Sequence, residues 1–384
     1  MRFSAASKTF VLALSVYFII PPAADAGTGT DQPAAAGSFT VGVSLALTGS
    51  FAEYGVAVKR GIDLAQFEHP EKFTAVKFVF EDDGYEPKRT VAALAKLKDA
   101  DNADLVFIWG NEPALGAAPV SERRKIPTVV VAQHPQAGAG YKYVIRFINP
   151  AEDFSLTLLN YLRRQPAYLT SPAPHRFDVV KAEISFFNTL LDEFQKGLKA
   201  DETLNIVDQF LPSDTDFRPV ILKLKGQQLE YLGVYLIPPQ VGPFFRQAKE
   251  LDFHPRVFGT TPFESSQVIS SALGEMEGAV YTHLAALPEF IERFKNRVGD
   301  DVQVAYAAQG YDFAILTADL FGKPPFKPKA ETVIKKLTSA GERDGSLGKY
   351  RVRNDTPSGT YFEFPVAVKQ IKDGKIVVVE TTGP

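Results

Sequence analysis

Cysteine is absent from the 384 residues, which excludes disulfides and thiolate metal sites. Histidine is scarce as well. The five (His69, His134, His175, His254 and His283) stand far apart, and none has an i, i+4 partner or a carboxylate at metal-ligand spacing, so no zinc site is expected. Neither charge dominates: 42 basic residues face 45 acidic ones, a net charge of −3, without the basic excess of a nucleic-acid binder. Catalytic signatures are missing too, since no GxGxxG, Walker-type GxxxxGK[S/T], HExxH or GxSxG occurs. Beyond the N-terminus no apolar run approaches the length of a membrane span.

The N-terminus itself has the form of a secretory signal over residues 1–26. Arg2 and Lys8 supply the positive flank, residues 9–20 the apolar core, and Ala24-Asp25-Ala26 a small-x-small cleavage site. An uncleaved anchor is the alternative, although the run is short for a bilayer. Residues 27–37 carry no packing pattern and are expected to form a flexible leader. A chain of this size can bury a sufficient core without disulfides, and its length points to two domains. Phenylalanine is abundant, with 30 residues against a single tryptophan, which fits a heavy core and an apolar pocket.

From residue 38 onward the pattern alternates strand and helix. Apolar strands are predicted at 39–47, 75–82, 104–109, 127–132 and 143–147, with helices near 53–67, 86–98 and 113–123 between them. The alternation restarts at a helix over 151–164 and continues to a strand at 278–282. Its helix over 186–199 shows an apolar stripe of Phe187, Leu190, Leu191, Phe194 and Leu198. Helices at 305–321 and 330–340 then lead into a β-rich tail. There 361–370 and 375–380 read as a hairpin around Asp373-Gly374. Repeated β-α units of this kind mean an α/β fold of two doubly wound parallel-sheet lobes.

In open α/β sheets ligands bind at the C-terminal ends of strands. Those exits place Thr48, Ser50 and Tyr54 after the first strand, Asn111 and Glu112 after the third, and Gln133 and His134 after the fourth. In the second lobe they place Phe186, Thr261 and Glu264. Trp109 is read as core, whereas Tyr54 and Tyr311 fit cleft or core equally well. Asp82-Asp83 has the residue types of an acid pair or cation site, but its position fits a strand end turning into a helix.

Leu47-Thr48-Gly49 followed by Tyr54-Gly55 resembles the opening βα unit of the periplasmic amino-acid and amide-binding proteins of ABC transporters, the leucine/isoleucine/valine-binding type. Glu81-Asp82-Asp83, Ile126-Pro127-Thr128, Arg146-Phe147, Phe245-Arg246-Gln247-Ala248 and Gln309-Gly310-Tyr311-Asp312 extend the likeness, in order, to about residue 320. The resemblance implies a ligand cleft between two lobes joined by a multi-strand hinge, because the chain of such proteins crosses between lobes more than once. Lobe one would comprise 38–150 with 285–345 returning to it, and lobe two 151–284 with 346–384.

The resemblance also implies a ligand carboxylate held by hydroxyls at the helix start after the third strand, and an ammonium met by an acidic side chain of the second lobe. Asn111, Glu112 and Pro113 stand where hydroxyls are usual; Pro113 donates no hydrogen bond and Glu112 would repel a carboxylate. Gln133 and His134 replace a small residue and a threonine, Phe186 a tyrosine, and Thr261, with Glu264 nearby, the acidic partner. The expected ligand is therefore not an ordinary branched-chain amino acid. It would be polar but neutral, aromatic, or would carry a cation for Glu112. What the resemblance implies is a monomeric, exported, periplasmic protein that hands a small molecule to an inner-membrane permease, without cofactor, metal or nucleic acid. A sensor of the same fold is the alternative. An enzyme pairing Glu112 with His134 as acid and base is a more distant one.

Overall fold

Strands covered on both faces account for the continuous apolar runs. All seven residues of β1 (Phe39–Leu45) are buried, as parallel strands flanked by helices require. The computed structural model describes residues 37–227, 229–272, 274–324 and 326–383. The expected export signal and all but the last residue of the leader lie outside them.

The chain continues through α1 (Ala52–Glu68), β2 (Val76–Asp82), α2 (Pro87–Asp99), β3 (Leu105–Trp109), α3 (Asn111–Arg124), β4 (Thr128–Val131) and β5 (Val144–Arg146). It then builds the second lobe. This comprises α4 (Ala151–Arg163), α5 (Pro166–Thr170), β6 (His175–Ala182), α6 (Ser185–Lys196), β7 (Glu202–Phe210), α7 (Arg218–Lys225), β8 (Tyr231–Tyr235), α8 (Pro238–Glu250), β9 (Val257–Gly259), α9 (Ser266–Ser271) and β10 (Val280–His283). The first lobe resumes with α10 (Pro288–Val298), α11 (Val304–Phe321), α12 (Ala330–Thr338), β11 (Glu342–Gly345), β12 (Gly348–Thr356) and β13 (Gly359–Glu363). The hairpin β14 (Val366–Lys372) and β15 (Lys375–Thr382) closes the second sheet.

The first sheet runs β11-β12-β13-β5-β4-β3-β1-β2 and the second β15-β14-β10-β9-β8-β6-β7. Their parallel portions have equivalent orders. Each has a switch point, between β1 and β3 and between β6 and β8, where helices leave the sheet on opposite sides and open a crevice.

The chain passes between lobes at 147–150, 284–287 and 364–365. Asn149 ties the first and third of these passages together: its Nδ2 donates to the Phe364 carbonyl at 3.1 Å and its Oδ1 accepts the Phe364 N–H at 2.9 Å. The return to the second lobe comes later than expected. Residues 348–363 pair within the first sheet, and only the strands from Val366 onward join the second. The stretch 361–370, expected as one strand, is therefore two strands in two sheets, and the hairpin is β14 with β15. Pro365 separates them, because a residue without an N–H cannot continue a ladder.

Two glycines let α1 and α11 cross at backbone contact. A Cβ on Gly61 would stand 1.8 Å from the Ala307 carbonyl oxygen, and one on Gly310 2.2 Å from that of Val58. This crossing brings Tyr306 of α11 against Tyr54 of α1, with ring centroids 5.4 Å apart.

A charged cluster is buried in the second lobe. Glu264, in the 3-10 turn Thr261–Glu264, accepts from Lys369 Nζ at 2.6 Å and lies 3.0 Å from His283 Nδ1. Burial alone would raise the Glu264 pKa, but Lys369 and His283 outweigh it and hold the carboxyl at about 2. Removing one member strands a buried charge, so Lys369→Met is expected to cost about 3 kcal/mol in urea unfolding at neutral pH. Because the folded pKa lies below the unfolded value of about 4.3, the carboxylate's contribution is complete above that pH and is lost as pH falls through about 2. The variant should show a flatter acid limb. A cost near zero with an unchanged acid limb would mean that the pair does not stabilise the lobe.

Candidate functional site

Turn chemistry at the first-lobe strand exits positions the site. Asp82 accepts from Leu47 N–H at 2.9 Å, Gly84 N–H at 3.0 Å and Thr48 Oγ1 at 2.6 Å. Burial works against its ionisation, but these bonds and Arg89 prevail and hold its pKa at about 2. Asp83, fully buried, accepts from Ser44 Oγ at 2.6 Å and Tyr85 N–H at 2.9 Å. The acid pair thus builds the turn, and it holds Tyr85 at φ 67°, a backbone state disfavoured for a tyrosine and typical of functional loops. Tyr85 is thereby turned onto Phe51, stacked at 4.2 Å, and onto Trp109 at 5.6 Å.

Gly110 completes this wall. Its φ of 109° is open to glycine, and a Cβ there would come within 2.4 Å of the Tyr85 ring. The following Asn111 joins two strand exits, its Oδ1 accepting the Gln133 N–H at 2.7 Å and the His134 N–H at 3.3 Å. Arg146, wholly buried, supports Gln133 from behind by donating to its carbonyl at 3.3 Å. Burial lowers the Arg146 pKa to about 10, so it stays charged at neutral pH.

These elements meet the second lobe around a cavity of about 530 Å³, measured out to its open mouth. Tyr54, Tyr85, Trp109 and Tyr306 form the aromatic wall on one side, and Phe186 and Thr261 face them from the other lobe. Tyr54 stacks on Trp109 with centroids 5.4 Å apart and planes 13° apart, and Tyr306 meets both edge-on. No charged side chain lines the cavity among the described residues.

Two carboxylates of the first lobe instead cross the cleft beside it. Glu112 Oε1 accepts from both Ser185 N–H at 2.9 Å and Ser185 Oγ at 2.7 Å, at the first residue of α6. Glu53 accepts from Ser265 Oγ at 3.2 Å and from Gln303 Nε2 at 2.9 Å. Tyr85 also stands near Glu112. Burial first, and then that carboxylate, push its pKa well above the ordinary tyrosine value.

Of the residues expected at the site, Tyr54, Asn111, Gln133, Phe186 and Thr261 line the cavity together. The others do not. Thr48 is exposed and bonded to Asp82, and Ser50 is exposed on the turn. The His134 side chain accepts the Gln136 N–H at 3.2 Å, and no hydrogen bond joins it to Glu112. Glu264 is committed to Lys369 and His283, and Tyr311 bonds Glu68 at 2.8 Å at the far end of α1. Glu112 reaches a serine of the opposite lobe rather than the cavity. Phe51, Tyr85, Trp109 and Tyr306 were missed. Trp109 reads as core because its strand is buried, although it ends that strand. The turn-forming pair Asp83-Gly84 before it is the sequence signal available for Tyr85.

Paired switch points facing one covered cleft define a bilobed binding architecture of the type I periplasmic kind. The chain belongs to the periplasmic binding protein family, whose sequence model matches residues 38–375. It is similar to the leucine-, isoleucine-, valine-, threonine- and alanine-binding protein of Pseudomonas aeruginosa, 26% identical over 351 residues that span 83% of this chain and 84% of that one. Among solved structures, the leucine-binding protein LivK of Thermotoga maritima matches 90% of this chain and 99% of its own, with a TM-score of 0.76 and 20% identity. An ABC-transporter solute-binding protein of Rhodopseudomonas palustris, in complex with 3,4-dihydroxybenzoic acid, matches 90% and 97%, with a TM-score of 0.75 and 18% identity.

Gly110→Ala tests the wall. The methyl group would meet the Tyr85 ring and the positive φ would be strained, so a loss of about 2 kcal/mol and a shift in Trp109 emission are expected. Unchanged stability and emission would show that the Gly110–Tyr85 contact is not formed.

Proposed function

We propose that this protein is the solute-binding component of an ABC importer, exported to the periplasm as a monomer, which captures a small organic solute by closing two lobes and makes or breaks no bond. The observation that carries this reading is the cavity whose walls come from both lobes at their paired switch points, with Asn149 bracing the passages between them. Contacts to both walls exist only when the lobes are closed, so a solute shifts the population toward that form. An inner-membrane permease that recognises the closed form is the partner this mechanism requires.

The ligand is not an ordinary branched-chain amino acid. The ammonium of a zwitterion needs an anionic partner, and no charged side chain lines the cavity among the described residues. At the start of α3, Glu112 supplies an anion of its own. Thermal unfolding with leucine, isoleucine and valine checks this point, since a ligand at 100 times its Kd stabilises the folded state by about 2.7 kcal/mol. No rise in Tm is expected at millimolar concentrations, and a clear rise would refute this reading of specificity.

Glu112 serves as a latch between lobes. Its bonds to Ser185 are charge-assisted, and losing them should weaken ligand binding about tenfold. Glu112→Ala and Ser185→Ala should therefore leave the folded state intact and enlarge the radius of gyration measured by X-ray scattering. A scattering profile identical to that of the unaltered protein would dismiss the latch.

A further inference from the structure

Resting on the solute-binding reading, we infer that the ligand is an uncharged, planar aromatic solute with both a hydrogen-bond acceptor and a donor. The walls give the shape. Tyr54, Tyr85, Trp109 and Tyr306 on one side and Phe186 on the other form a slot between ring systems, and a flat apolar body fills such a slot with the largest burial of surface.

Charge is excluded from both directions. The start of α3, which favours an anion, already carries the Glu112 carboxylate. A ligand carboxylate there would be a second anion beside the first. Arg146 does not relieve this, because it is wholly buried behind Gln133 and does not line the cavity. A cation finds no carboxylate in the cavity lining among the described residues. Glu112 Oε1 accepts from Ser185, Glu53 from Ser265 and Gln303, and Glu264 from Lys369, and although Glu112 Oε2 has no partner, Glu112 is not a lining residue. One face each of Tyr54, Trp109 and Tyr85 is also taken by a stacked ring, which reduces what the aromatic wall can offer a cation.

The polar complement is nonetheless specific. Four cavity-lining side chains hold buried polar atoms without a hydrogen-bond partner: the Tyr54 hydroxyl, Trp109 Nε1, Asn111 Nδ2 and Gln133 Oε1. Each of these residues is at least nine-tenths buried. Asn111 Oδ1 accepts two backbone N–H groups, which fixes Nδ2 as the free donor. Trp109 and Asn111 therefore call for an acceptor and Gln133 for a donor, as the carbonyl and amino groups of a primary aromatic amide, or the oxygen and proton of an aromatic alcohol, provide. Leaving such atoms unpaired is costly, so a solute that pairs them gains both affinity and selectivity.

A matched set of benzamide, benzoate, benzyltrimethylammonium and leucine tests this by calorimetry on the whole protein. Trp109, the single tryptophan, supplies a second readout from within the cavity. Benzamide is expected to bind at least about tenfold more tightly than either charged arene, with a change in Trp109 emission. Tighter or equal binding of benzoate or of the cation would overturn the inference. Binding of leucine with lobe closure would overturn it too, while leaving the solute-binding reading standing. No saturable response to any of the four would count against both. Tyr54→Phe removes a hydroxyl that has no partner, so it should leave Tm unchanged and weaken benzamide about tenfold. Unchanged affinity would overturn the polar match.

Discussion

The Glu112 carboxylate stands in the first turn of α3 and reaches Ser185 at the start of α6, so one anion serves two helix N-termini that face each other across the cleft. The rest of the site follows from that commitment. A carboxylate supplied by the protein satisfies the charge preference of both termini from within. The cavity beside it can then be built from rings and neutral polar groups, and its walls are brought together by a contact outside the binding surface. Glu53 does the same at the next exit through Ser265. On the proposed function, closure and recognition fall to different side chains.

The aromatic wall depends on backbone devices more than on the rings themselves. Tyr85 is aimed by two aspartates that bind the turn before it, Trp109 by its place at the last position of a buried strand, and Tyr306 by a helix crossing that only glycines permit. Gly110 leaves the space in which Tyr85 lies. A modest change in any of these would move a ring while leaving the sheet intact. Specificity can therefore drift within such a fold without loss of the lobes.

Periodicity and strand exits made the two lobes legible, because a parallel sheet writes its burial as continuous apolar runs separated by helical stripes. The passages between lobes were less so. Residues 361–370 read as one strand, since neither side of Pro365 loses its apolar character when the chain changes sheets. Of the residues placed by strand exits, Tyr54, Asn111, Gln133, Phe186 and Thr261 line the cavity, whereas Thr48, Ser50 and His134 do not. Those whose role depends on the partner they meet were misplaced. Glu264 read as a cleft acid because Lys369, 105 positions away, was not visible as its partner. Tyr311 and Tyr306 lie five residues apart on one helix at opposite ends of the α1 contact, and sequence spacing did not say which of them lines the cavity.

The central claim is that Glu112 and Glu53 of the first lobe bond the second lobe and leave an uncharged aromatic cleft. The most direct test is mass spectrometry of the solute that protein purified under native conditions from a periplasmic extract releases on denaturation. An uncharged arene bearing an amide, hydroxyl or carbonyl group is expected at stoichiometric amount. A stoichiometric amino acid, carboxylate or organic cation would contradict it.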